Sequence, residues 1–106
     1  MIRAEFLVGR HGLEGFRISG HAGYANAGED IVCASVTSAV QMTANTITEI
    51  FGVAAELKVL ENVIECKLPQ STSLQARKLL EGLKLHLEIL AEDYEETIDV
   101  KVLEVF

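Results

Sequence analysis

Residues 20–51, GHAGYANAGEDIVCASVTSAVQMTANTITEIF, decide how this chain folds. The first part is a loop spaced by Gly20, Gly23 and Gly28. From Asp30 onward apolar residues recur at 36, 40, 44, 47 and 51, the three-to-four spacing of a helix that packs one face on a core. Gly52 then supplies a C-terminal stop. A helix over Asp30 to Phe51, entered through a flexible loop, is therefore expected.

Working outward, the segments before it, 2–8 (IRAEFLV) and 13–19 (LEGFRIS), flank GRHG and read as a hairpin. After it, 53–60 and 62–68 read as a second strand pair turning at Glu61 and Asn62. In its second strand Ile64, Cys66 and Leu68 share one face, and Pro69 ends it. Thr72 with Gln75 is a capping-box signature, followed by the stripe Leu79, Leu80, Leu83, Leu87 and Leu90 of a second helix. Leu74, Leu85 and Ile89 lie on another side of that helix, more apolar surface than one packed face needs, which suggests a homodimer interface. The run TIDVKVLEV is a last strand. The order ββαββαβ predicts an α/β two-layer sandwich with both helices on one face of a mixed sheet.

The chain has 106 residues and a formal charge of −7, the size of a single domain spanning residues 1–106. Residues 1–51 carry three Arg against five acids, and residues 52–106 six Lys and Arg against eleven acids. The basic residues are scattered singly among acids, with only Arg77 and Lys78 adjacent, so a phosphate-binding surface and direct nucleic-acid binding are not expected. An acidic surface favours encounter with a basic protein instead. No stretch approaches the roughly 20 apolar residues that span a bilayer, and none resembles a secretory leader, so a cytoplasmic protein without a membrane segment is expected.

Cys33 falls in what reads as the first helical turn, where the macrodipole and unpaired N–H groups favour thiolate and could hold an oxyanion. Its side chain should lean back toward the loop that carries His21, a base for the thiol proton and an acid for a leaving amine. The alternative is equally physical: Cys33 continues the stripe Val36, Val40, Ala44 and Ile47, and free cysteine is commonly a core residue. Asp30 either caps the helix or orients His21. Cys66 reads as structural, His11 as a turn residue and His86 as a surface or interface residue. One His and one Cys twelve apart are too few ligands for a metal, and no CxxC or HxxxH occurs.

The run Gly20-His21-Ala22, a short glycine-containing loop, then Gly28-x-Asp30-Ile31-Val32-Cys33-Ala34 resembles the Prp family of bacterial ribosomal-processing cysteine proteases. The resemblance implies Cys33 as nucleophile, His21 as base and acid, Gly20 as a permissive backbone position, Asp30 as a supporting carboxylate and Thr37 as the hydroxyl one turn after the cysteine, with Ser38 beside it. It also implies a dimer, no cofactor, and a substrate that is the short N-terminal extension of a large-subunit ribosomal protein, cut after an aromatic pair and before a small residue. Tyr24, in the loop, is the aromatic expected to meet that substrate. Two other classes make different predictions. A non-enzymatic ribosome-assembly factor binding a basic ribosomal protein would be indifferent to Cys33 and His21. A thiol redox regulator would need a second cysteine placed to resolve the first.

Overall fold

The structure, a computed structural model, describes residues 1–20, 27–71 and 74–105, with the backbone alone at 27–30. Its elements are β1 (Ile2–Gly9), β2 (Gly12–Gly20), α1 (Ala27–Asn45), a π-helical turn (Thr46–Ile50), β3 (Glu56–Leu60), β4 (Val63–Lys67), α2 (Leu74–Asp93) and β5 (Ile98–Glu104). The order is the expected one. The sheet runs β3-β4-β2-β1-β5, and β5 lies parallel to β1 while the other neighbours are antiparallel.

Strand alternation sorts the sheet into two faces. Ile2, Ala4 and Phe6 of β1, Phe16 and Ile18 of β2, Cys66 of β4 and Ile98 of β5 are buried with Val32, Val36 and Val40 of α1 and Ala76, Leu80, Leu83 and Leu87 of α2. All belong to one cluster, so both helices cover the same face. The opposite face carries the ladder Glu5–Arg17–Glu65, with nitrogen–oxygen separations of 3.5 and 3.0 Å. Such exposed pairs contribute about 1 kcal/mol or less each.

Three details differ from the sequence expectation. First, α1 starts at Ala27 and not Asp30, because Ala27, Gly28 and Glu29 join the helix instead of the loop. Second, the helix does not run uniformly to Phe51. Thr43, Thr46 and Thr48 donate their hydroxyls to the carbonyls of Ala39, Met42 and Ala44, at 2.8, 2.7 and 3.1 Å, and the ladder widens so that the Phe51 N–H reaches Thr46 O at 2.9 Å. Gly52, at φ +64°, ends it as expected. Third, β3 begins at Glu56 because the Val53 N–H is turned back onto Ile47 O at 3.0 Å. The Thr72 cap lies outside the described residues, and among those described another contact anchors α2. Buried Arg77 donates from Nη1 to Leu13 O and from Nη2 to Gln70 O, both at 3.2 Å, which ties the start of α2 to β2.

Candidate active site

β2 ends at Gly20, and the backbone there requires glycine. Its φ is +85°, and a Cβ would stand 2.5 Å from Met1 O. The Gly20 N–H also donates to Asn62 O at 3.2 Å, joining the end of β2 to the β3–β4 turn. Three chain features thus meet at one corner: the end of β2, the β3–β4 hairpin and α1.

Between them lies a cleft of about 360 Å³. Ile2, Ile18, Ser19 and Gly20 line it from the sheet, Cys33, Val36 and Thr37 from α1, and Val59, Leu60, Asn62, Val63 and Ile64 from the hairpin. Cys33 is half-buried: it packs against the core cluster and still opens into this cleft, so both sequence readings of it describe part of its environment. Cys66 is the opposite case. It is fully buried, and burial pushes its thiol up from the ordinary 9.0 to about 11, which keeps it protonated and inert at neutral pH.

The structure brings Gly20, Cys33 and Thr37 to one cleft. It separates Thr37 from Ser38, which lines a larger groove of about 750 Å³ between α1 and α2 together with His86. No cysteine is among the described residues that line that groove. His21 and Tyr24 lie outside the described residues, as does the Asp30 side chain. The Asp30 backbone is the fourth residue of α1, so it does not hold the N-cap position considered for it. Cys33 is likewise the seventh helical residue and not a first-turn residue. Its own N–H is therefore committed to the helix ladder, and the expected first-turn oxyanion donors belong to residues 27–30. Sequence reasoning did not pick out Val59, Leu60, Asn62 and Val63 as site residues. The only available signal was the Glu61-Asn62 turn, whose tip strand ends reach the cleft because Asn62, at φ +64°, folds the hairpin back.

A sequence model of the family described as Cysteine protease Prp matches residues 1–99. A Bacillus subtilis (strain 168) protein named ribosomal processing cysteine protease Prp is 32% identical over 95 residues, covering 84% of this chain and 85% of that protein. Among solved structures, SMU.848 from Streptococcus mutans superposes with a TM-score of 0.82 at 26% identity, over 99% of this chain and 96% of that one. The ribosomal processing protease Prp of S. aureus, in complex with a covalently linked product peptide, shares the fold with a TM-score of 0.87 at 20% identity, over 97% and 100% of the two chains. With the family pattern matched along nearly its whole length, and a curated relative at that identity, this chain belongs to the cysteine protease Prp family.

Proposed function

We propose that this chain is a cysteine endopeptidase that removes the short N-terminal extension of a large-subunit ribosomal protein, with Cys33 and His21 as its dyad. The observation that carries the reading is the half-buried Cys33 opening into a cleft that Gly20, the residue bonded to His21, also lines. The Bacillus subtilis relative named for ribosomal processing supports the substrate class, and the S. aureus protein is seen with a substrate peptide and with a covalently linked product peptide.

In the proposed reaction His21 takes the Cys33 proton and the thiolate attacks the scissile carbonyl. His21 then returns the proton to the departing amine as the C–N bond breaks, leaving a thioester on Cys33. Water, deprotonated by His21, attacks the thioester and releases a carboxylate and the free thiol. Asp30 supports His21, Gly20 sets the loop's departure from β2, Thr37 presents its hydroxyl to the cleft, and Tyr24 meets the substrate. The charge of −7 draws a basic ribosomal segment, and the scattered Lys and Arg leave nucleic acid without a binding surface. The domain is residues 1–106, working in the cytoplasm as a homodimer paired through the exposed Leu74, Leu85 and Ile89 of α2.

The test is mass spectrometry of a peptide carrying an aromatic pair, a small residue and two lysines, incubated with wild type, His21→Ala and Cys33→Ala. Cleavage after the pair by wild type alone is expected. Equal cleavage by Cys33→Ala overturns the dyad. Leu85→Glu should halve the mass seen in sedimentation, and an unchanged mass would exclude that interface.

A further inference from the structure

Cross-strand register lines up Ala4, Ile18, Ile64 and Val59 in one row on the helix-covered face of the sheet. Burial falls along that row: Ala4 and Ile18 are buried, Ile64 is half-buried, and Val59 is 71% exposed. The row therefore leaves the core without losing its apolar character, and its last three members line the Cys33 cleft. Leu60, 56% exposed, stands beside Val59 at the hairpin tip. Packing does not account for the exposed aliphatic side chains of this edge strand, of which Val59 and Leu60 are the two most exposed and the two that line the cleft. None of the described residues lining the cleft is charged, although the chain as a whole carries −7.

We infer that the exposed end of this row, Val59 with Leu60, is the specificity wall of the site: it seats an apolar side chain flanking the scissile bond and rejects a charged one. The inference rests on the protease reading above and adds to it which residues select the substrate. The occupant follows from the wall's chemistry. An apolar side chain laid on Val59 leaves water together with it, whereas a charged one would be desolvated against Ile18, Ile64 and Val36 with no counter-charge among the described residues. At about 360 Å³ the cleft lies at the small end of ligand sites, suited to one or two side chains and not to a long segment. Overall charge then gathers basic substrates from a distance while the neutral cleft chooses among them on contact.

The experiment compares kcat/KM for two peptides that differ at the residue before the cut, one with Phe and one with Lys, using wild type, Val59→Glu and Leu57→Glu. Leu57 lies two residues away on the same face of the same strand, 43% exposed, and does not line the cleft. Expected is about a tenfold or greater loss on the Phe peptide in Val59→Glu, with the preference shifted toward Lys, and no change in Leu57→Glu. Val59→Glu cutting the Phe peptide within twofold of wild type overturns the inference and leaves the protease reading standing. Wild type cutting neither this pair nor the aromatic-pair peptide overturns both. Should Val59→Glu lose its circular dichroism, Val59→Ser is expected to show a smaller loss of the same kind, and wild-type kinetics in Val59→Ser would equally overturn it.

Discussion

Gly20→Ala separates two costs that the structure assigns to one atom. The first is conformational: alanine at φ +85° lies in a region that a side chain disfavours by about 1–2 kcal/mol. The second is steric: the new Cβ would stand 2.5 Å from Met1 O, a backbone atom of the first strand's entry that cannot rotate away. Forcing that overlap open costs about 1–3 kcal/mol. The internal reference is Gly52→Ala, where φ is +64° and nothing lies within 4 Å, so only the conformational cost applies. For a domain of this size each kcal/mol moves Tm by about 4–8 °C. Thermal unfolding followed by circular dichroism should therefore show Gly52→Ala lower by about 4–16 °C and Gly20→Ala lower by about 8–40 °C. Below its own Tm, Gly20→Ala should also lose kcat/KM on the aromatic-pair peptide, because relieving the overlap moves the point where the chain leaves β2 for His21. Equal Tm losses in the two variants would refute the steric argument, and full activity in a folded Gly20→Ala would refute the link from Gly20 to the site.

Iodoacetamide at pH 8 should modify Cys33 and spare Cys66, whose thiolate fraction there is about one in a thousand for a pKa of about 11; peptide mapping that finds both labelled at one rate in folded protein would contradict this. The same thiol fixes a pH trend. Its folded pKa is raised, so its stability contribution is complete below the unfolded value of 9.0 and is lost as pH rises through about 11. Urea midpoints measured from pH 8 to 11 should fall less steeply in Cys66→Val than in wild type. Arg77→Ala strands the carbonyls of Leu13 and Gln70 and should cost about 2–4 kcal/mol in urea unfolding, with Arg77→Lys recovering only part, since one ammonium does not reproduce a two-pronged fork. A loss below about 0.5 kcal/mol would remove Arg77 from the list of structural anchors.

What was legible in the sequence tracks how local its cause is. Alternation in IRAEFLV and LEGFRIS and the leucine stripe of α2 depend on the residues themselves, and those elements stand where they were expected. The helix start was displaced by three residues because Gly28, a loop residue by propensity, is carried into α1. The π-helical turn depends on three threonines bonding backward to carbonyls, a choice that no hydrophobic period reveals. Arg77 was invisible for a stronger reason: its partners are carbonyls 64 and seven residues away, so its burial exists only in the folded chain. At the site, the helix wheel leaves two readings of Cys33, and only the folded chain shows that it meets both surroundings, the core cluster and the cleft formed with the end of β2 and the β3–β4 hairpin.

That last point follows from the layer geometry. Five strands at about 4.8 Å spacing make a sheet of about 24 Å, and two helices of about 10 Å cover most of that width and not all of it. Because α2 packs on β2 and β5, the covered part lies toward β5, and the shortfall falls on β3 at the opposite edge. β3 is exposed at all five of its residues, yet it keeps Val59 in register with Ile64 and Ile18. Among the described residues, an apolar floor with no helix over it thus forms beside Cys33 as a consequence of strand order. A third helix over β3 would bury Val59 and close the cleft. The topology that leaves one strand uncovered is therefore also what places apolar side chains beside the half-buried Cys33, and Val59→Glu tests that consequence at the most exposed member of the row.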